Sequence, residues 1–333
     1  HSHGTARRQH GYNRECGGRG SPKSDDQPCC SPVNQSFVRG AQAPLCVCGP
    51  VSMLPSTYLA IGHICKDLTP EGPRPGGTAL YSALMAYALG MQATIVTSLP
   101  IDLNGFLEAL PAHTTVANIP TTQATTFENL YTATGRTQTL SARATVLTAE
   151  HIAGQVADAA IVHLAPVADE IASTIVEAIP TGRFVLATPQ GWMRGWDAAG
   201  HVFSKPWQGA GPVLARADLV VMGIDDVAGD ESTVQALAAR SRVLAVTYGR
   251  QGSIIYASGD ALRIPAPEVA ELDPTGAGDI YATAFAVYMR QHGDVLRAAR
   301  FATRIASDSV QRTGLASIPA AEVIALAYEA AME

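Results

Sequence analysis

Seven residues near the C-terminus, Asp273-Pro274-Thr275-Gly276-Ala277-Gly278-Asp279, run without a break into an alanine-rich segment of helical periodicity, Ile280-Tyr281-Ala282-Thr283-Ala284-Phe285-Ala286. Glycines let a backbone approach an anion closely, and the first turn of the helix that follows offers unpaired N–H groups and a positive dipole end. Asp279 falls in that first turn, where an ionised carboxylate is favoured. An anion cradle beside a fixed carboxylate suits phosphoryl transfer, because one holds the moving group while the other takes a proton from the attacking hydroxyl. Gly-Ala-Gly alone would fit an ordinary helix-opening loop, with Asp279 as dipole decoration. The seven residues together are more specific. The dinucleotide fingerprint is excluded because Tyr281 stands where its third glycine belongs, and the chain holds no Gly-Lys-Ser/Thr of a Walker loop.

Upstream, short apolar runs alternate with helix-periodic segments. Tyr58–Gly62 reads as a strand closed by glycine, Gly76-Gly77 opens a helix from Thr78 to Leu89 that Gly90 stops, and Ala93–Thr97 is the next strand. Strand, crossover helix and parallel strand make a βαβ unit. The alternation returns over Ala160–Leu164, Ala168–Ala178 and Phe184–Thr188, and again over Leu219–Met222, Ser232–Arg240 and Val243–Tyr248. The expected fold is therefore α/β, a doubly wound and mostly parallel sheet flanked by helices. With 47% hydrophobic but only 6% aromatic residues, its core should be aliphatic and alanine-rich. The threonine-rich stretch Thr115–Thr145 instead alternates with period two. Together with residues 66–75 it is expected to leave the main sheet as a small β lid, spanning about 66–75 and 113–145. Beyond the glycine loop, Ile280–Gln291 and Asp294–Gln311 read as two helices, a wall against which a nucleotide base could lie.

Residues 1–52 are polar, glycine-rich and aperiodic, with a surplus of positive charge in a chain whose net charge is −6. They are expected to be a disordered leader foreign to the native protein, with Met53 as the natural start and 53–333 as one domain. The negative balance argues against nucleic acid or an anionic membrane as partner, and no apolar run is expected to span a bilayer. Cys16, Cys29, Cys30, Cys46 and Cys48 all lie in the leader, and only Cys65 follows it, so no disulfide or zinc framework would staple the folded part. A reducing, cytoplasmic compartment is expected. His63, His113, His151, His163 and His201 lack metal-ligand spacing and read as structural histidines. Lys23, Lys66 and Lys205 are the only lysines, so phosphate binding must rely on backbone amides, a metal ion or arginine.

Asp-x-Thr-Gly-Ala-Gly-Asp resembles the C-terminal signature of the ribokinase-like, or PfkB-type, carbohydrate kinases. The resemblance covers nearly all of residues 53–333 in order. It implies that the amides of Gly276, Ala277 and Gly278 form an anion hole and that Asp279 is the catalytic base. The enzyme implied is a kinase dependent on ATP and Mg²⁺ that phosphorylates a hydroxyl of a small polyol or sugar. Thr247-Tyr248-Gly249-Arg250-Gln251-Gly252 resembles the family's Thr-x-Gly-x-x-Gly nucleotide loop, implying Thr247, Gly249 and Gly252, with Thr275, as nucleotide-binding residues. Asp273 and Thr275 stand where family members often bind a monovalent cation such as K⁺. Gly223 and Asp226 occupy the ends of the family's Asn-x-x-Glu, which organises Mg²⁺, so this motif is degraded and Asp226 remains as its metal-side acid.

On the acceptor side, Gly62-His63-Ile64-Cys65-Lys66-Asp67 resembles the first strand, whose closing Asp binds sugar hydroxyls, and Gly76-Gly77 resembles the first signature. Tyr81 departs from the Asn usual in the sugar kinases. Ala187–Arg194, with Trp196-Asp197, is similar to a subgroup near the myo-inositol kinases, implicating Arg194, and Arg136 of the lid could also reach a polyol or phosphate. The resemblance thus implies a cyclitol such as myo-inositol, ahead of ribose, fructose-type sugars and nucleosides, and a possible homodimer through the lid. The degraded motif and Tyr81 also leave a second expectation, a ribokinase-like module retired from catalysis and kept for ligand binding.

Overall fold

In the computed structural model, which describes residues 57–132 and 135–332, the first apolar run forms the central strand β1 (Thr57–Ile61). Its side chains alternate between two cores. Leu59 and Ile61 enter one, Tyr58 and Ala60 the other. The chain then makes a small hairpin, β2 (Cys65–Thr69) and β3 (Gly72–Gly76), before α1 (Thr78–Ala88) and β4 (Gln92–Thr97) complete the first βαβ unit. β5 (Thr115–Asn118) follows, then the hairpin β6 (Thr126–Thr132) and β7 (Gly135–Ala142), the short α2 (Ala149–Ile152), β8 (Ala159–Leu164) and β9 (Phe184–Ala187). A second small hairpin, β10 (Arg194–Trp196) and β11 (Val202–Ser204), precedes α3 (Ala210–Arg216), β12 (Leu219–Gly223), α4 (Glu231–Ala238) and β13 (Val243–Thr247). The chain closes with β14 (Ser253–Ala257), β15 (Asp260–Ile264), α5 (Ala277–His292), α6 (Val295–Ser309) and α7 (Ala321–Met332). The leader over 1–52 and Met53 lie outside the described residues.

The main sheet has nine strands in the order β15-β14-β13-β12-β9-β8-β1-β4-β5, parallel from β5 to β13 and antiparallel over the last two. Chain direction diverges at β1 and β8: one half winds out to β5, the other to β13. At such a switch point a crevice opens at the carboxyl ends of the strands. One face is covered by α1, α5 and α6 and the other by α3 and α4, with the apolar core residues divided between them.

β3, β2, β6 and β7 form a separate four-stranded sheet, the lid that the threonine alternation suggests. The lid begins later than expected. Thr115–Asn118 pairs in parallel with Thr94–Thr97 and is the edge of the main sheet, since its four residues continue the outward winding before the chain turns away. The lid has a small apolar core of its own, Cys65, Phe127, Leu140, Val167 and Ala168, and the β10–β11 hairpin leans on it: Leu140 N–H donates to Gly200 O at 2.8 Å. His63 ties the lid's exit and return to the end of β1. Its Nε2 lies 2.8 Å from Thr145 O and its Nδ1 2.6 Å from the Thr125 hydroxyl, so the ring donates to the carbonyl and accepts from the threonine. Both ring nitrogens are satisfied in the core.

Two expectations need correction. Ala168–Ala178 is not one helix: only Ser173–Ala178 winds, as a 3₁₀ segment. The buried Glu170 carboxylate collects the N–H groups of His63, Val167 and Ala168, and Asp169 takes a φ of 57°, so local side-chain bonding outcompetes the helix. The second concerns membranes. The segment Gly314–Met332 is long and apolar enough by composition to cross one, with a mean hydropathy of 1.4. It is a 3₁₀ turn followed by α7, whose Ile324, Ala327 and Ala331 pack in the core shared with α5 and α6.

Candidate active site

A cleft of about 870 Å³ opens at the carboxyl ends of β9, β12 and β13, against the N-terminus of α5. It gathers Ala277, Gly278, Asp279, Thr247, Gly249, Gly252, Asp226 and Arg194 from the expected site residues. Asp67, Gly76, Gly77, Asp273, Thr275 and Gly276 stand outside its lining. Arg136 pairs with Tyr131 through the lid backbone, and its side chain lies outside the described residues.

The glycine loop and helix form as the sequence suggests. Gly276 adopts a φ of 79° as the residue before α5, and Ala277 N–H donates to Pro274 O at 3.1 Å, so the Ala277 amide expected in the anion hole is already engaged within the loop. The amides of Gly278 and Asp279 follow in the first turn, the part of a helix whose N–H groups lack intrahelical acceptors. Gly276 is also a contact position: a Cβ there would come within 2.5 Å of the Tyr81 ring. Asp273 organises the loop from behind. Its Oδ1 accepts from Thr275 N–H at 2.9 Å and its Oδ2 from Gly314 N–H at 3.1 Å.

Asp279 differs from its expected state. Burial pushes its pKa up to about 6, which outweighs a hydrogen bond from Thr78 and the charge of Arg194, while the Asp226 carboxylate raises it further. A carboxyl near pH 6 is poised to exchange a proton close to neutrality. Thr78 directly follows the Gly76-Gly77 pair, and its place at the start of α1 was the signal that could have marked it.

Across the cleft, Asp226 Oδ2 accepts from Gly223 N–H at 2.8 Å and Oδ1 from Gln190 Nε2 at 3.2 Å. Burial pushes this carboxyl upward too, opposed by the Gly223 N–H and by Arg194. Arg194 lies over the Phe127 ring, 5.5 Å from its centre, and donates to Val167 O at 3.1 Å. One guanidinium therefore acts on both cleft carboxylates while resting on a lid aromatic.

No group of three His, Cys, Asp or Glu that could cage a metal occurs among the described residues. Mg²⁺ at phosphoryl-transfer sites is usually held by one or two carboxylates, by water and by donor phosphates, so Asp226, with Asp225 beside it on the cleft wall, fits that ion. The wall farther along, from Ala266 to Val269 with Ala306 and Val310, is largely apolar and suits a nucleoside.

On the acceptor side, Asp67 sits over Gly76, where a Cβ would come within 2.0 Å of Asp67 Oδ2. Tyr81 is its neighbour. Burial raises the Tyr81 hydroxyl pKa, and Asp279, Asp273 and Asp67 add to the rise, so the residue that departs from the family pattern lies among three candidate-site carboxylates. Beneath the cleft runs a buried polar chain that the sequence did not announce. Thr188 meets His163 Nε2 at 2.9 Å, His163 Nδ1 meets the Tyr58 hydroxyl at 2.8 Å, and Tyr58 meets Thr283 at 3.1 Å, one turn beyond Asp279. Burial lowers the His163 pKa to about 3, which keeps the ring neutral.

Residues 218–321 match the model of the pfkB family carbohydrate kinases, a stretch that runs from β12 through the glycine loop and α6 to the first residue of α7. Over that stretch the chain is similar to the ribokinase-like (PfkB) carbohydrate kinases. A nucleoside kinase from Methanothermobacter thermautotrophicus is 42% identical over 72 residues, 22% of this chain and 23% of that protein. The matched segments span only 23%, 26% and 40% of the curated relatives' own lengths. The ribokinase-like fold itself extends much farther. A pyrophosphate-dependent kinase of the ribokinase family, solved with a pyrophosphate analog and myo-inositol, superimposes with a TM-score of 0.69 at 19% identity, covering 80% of this chain and 99% of that one. Arabidopsis thaliana ribokinase, solved with ribose and ATP, gives 0.61 at 18% identity, over 83% and 99%.

Proposed function

We propose that this ribokinase-like protein transfers the terminal phosphoryl group of Mg·ATP to a hydroxyl of a small polyol or sugar, with a cyclitol such as myo-inositol the preferred acceptor. The observation that carries the reading is Asp279, poised near pH 6 in the first turn of α5, in one cleft with Asp226 and the Thr247–Gly252 loop. Asp279 takes the proton of the acceptor hydroxyl. The freed oxygen attacks the terminal phosphorus, the bond to the bridging oxygen breaks, and ADP leaves. The first-turn amides of Gly278 and Asp279, with the Arg194 guanidinium, face the charge that spreads over the transferring group. Bound Mg²⁺ would neutralise donor phosphate charge, and Asp226 is the residue to hold it through water. Asp67 would orient the acceptor by accepting from its hydroxyls, and lid closure would exclude water as a competing acceptor.

The donor could instead be pyrophosphate, on which the similarly folded kinase solved with myo-inositol depends. The apolar side chains Ala266, Pro267, Val269, Ala306 and Val310 on the cleft wall favour a nucleotide, because pyrophosphate has no apolar part to cover them. The basic side chains on the cleft wall are Arg194 and Arg250, and Arg250 is engaged by Glu271 at 3.1 Å. The cyclitol preference rests on the Ala187–Arg194 stretch and on the similar fold solved with myo-inositol.

The test is product release from Mg·ATP and from Mg·pyrophosphate against myo-inositol, ribose, fructose, adenosine and cytidine. Turnover of one acceptor with ATP is expected, with Asp279→Asn about 10²–10⁴-fold slower, the usual contribution of a general base. Turnover with pyrophosphate alone would overturn the donor assignment. ATP binding without turnover of any acceptor would favour the retired-enzyme reading.

A further inference from the structure

The family's Asn-x-x-Glu has lost its amide here, because Gly223 stands at the Asn position and Asp226 at the Glu position. A shorter carboxylate with one fewer amide nearby ought to be poorly placed. The structure has an amide at this carboxylate all the same, delivered from another strand. β9 and β12 are hydrogen-bonded neighbours, pairing Leu219 with Leu186 and Val220 with Ala187. The 3₁₀ turn Pro189–Met193 directly after β9 brings Gln190 up beside the end of β12, where its Nε2 lies 3.2 Å from Asp226 Oδ1. An ionised carboxylate only accepts, which turns the amide nitrogen toward it. The other oxygen, Oδ2, accepts from Gly223 N–H at 2.8 Å, and Gln190, Gly223 and Asp226 all line the same cleft.

We propose that Gln190 is a positioning residue that supplies from β9 the carboxamide missing at Gly223, and so fixes Asp226 for its metal-side role. The assignment rests on the phosphotransferase reading for what Asp226 holds, but its geometry does not. Each Asp226 oxygen keeps lone-pair capacity beyond its one bond to Gly223 or Gln190, so the carboxylate held this way can still accept from metal-bound water. Gly223 also offers a way to test the substitution. Its φ of −86° is open to any L-residue, and a Cβ there would meet nothing nearer than Asp226 Oδ2 at 3.6 Å and Thr247 Oγ1 at 3.7 Å. An Asn side chain can therefore be restored at the position from which the family motif would supply it.

The experiment measures binding, not turnover: Mn²⁺·ADP titrated into the full chain, followed by the electron-spin signal of free Mn²⁺. Gln190→Met, which keeps the side-chain length, should weaken Mn²⁺·ADP by about 10–100-fold, the range typical of losing an outer-shell partner. Gln190→Ser repeats the loss with a smaller side chain, and an unchanged far-ultraviolet dichroism spectrum shows each variant folded. Gly223→Asn added to Gln190→Met should recover affinity to within about threefold of the parent, an energy gap of about 0.6 kcal/mol. Parent-like affinity in both Gln190 variants would overturn the proposal. So would a loss that Gly223→Asn leaves unrepaired while Gly223→Asn alone binds like the parent. Failure of the acceptor panel with Mn²⁺·ADP binding intact would count against phosphotransfer, leaving Gln190 assigned.

Discussion

The proposed donor side of the site and its proposed acceptor side are built on different plans. The donor half comes from short contiguous stretches, each at a strand end or helix start: Gly223–Asp226 after β12, Thr247–Gly252 after β13 and Ala277–Asp279 at α5. The proposed acceptor side, where only Arg194 of the residues named next lines the cleft itself, is assembled from pieces that meet only after folding. Asp67 comes from a lid strand, Gly77 and Tyr81 from the start of α1, and Arg194 from a hairpin that rests on the lid. Contiguous stretches position backbone amides by local dihedral geometry, which tolerates little drift. Assembled walls position side chains through packing, which can be re-cut without moving the chemistry. A chain can therefore keep its reaction while its acceptor changes.

That contrast can be tested by breaking either half. The largest effect is expected at the seam. Gly276→Ala would force both an αL conformation and a clash with Tyr81, a strain of about 1–3 kcal/mol at the loop. Turnover should fall by about 10–100-fold, and the smaller loss in Tyr81→Ala/Gly276→Ala would identify the ring as part of the cause; equal losses would remove it. Next, Asp67→Ala deletes a charged hydrogen-bond acceptor, worth about 1.5–3 kcal/mol. The acceptor KM should rise by about 10-fold or more with ATP affinity unchanged, and a matching loss in nucleotide binding would dissolve the division into halves.

Smaller and more diagnostic is the acid limb of kcat/KM. The proposed base works deprotonated, so activity should fall as pH drops through about 6, the value of Asp279. Arg194 lowers that pKa, so Arg194→Gln should move the limb to higher pH. Asp226 raises it, so Asp226→Asn should move the limb the other way. Thr78→Val, which removes a hydrogen bond that favours the ionised form, should shift the limb upward in the same sense as Arg194→Gln. A limb that stays fixed in all three variants would assign the proton to another group.

The same contrast explains what could be read from the sequence. The strands, the crossover helix and the glycine loop were legible because each depends on local periodicity and on turn chemistry. The β14–β15 hairpin was legible in principle. Ser258-Gly259, both at positive φ, form the two-residue connection that such hairpins favour. Glu170 was not legible. Its hold on three backbone N–H groups needs the ends of β1 and β8 to be side by side, a long-range fact no local pattern contains. Tyr81 could be seen to depart from the family but not to lie against Gly276, and the upward pKa of Asp279 depends on burial that the positive dipole end concealed.

Tyr81 and Gly276 occupy each other's space, 195 positions apart in the chain. Neither can be exchanged freely by inheritance: a bulkier residue in the loop collides with the ring, and a smaller residue on α1 removes the surface the loop leans on. The pair behaves as a ratchet on divergence. Lineages descending from this sequence would be expected to explore new acceptors through Asp67, the lid strands and the β10–β11 hairpin, leaving the tyrosine and glycine to be inherited or lost together.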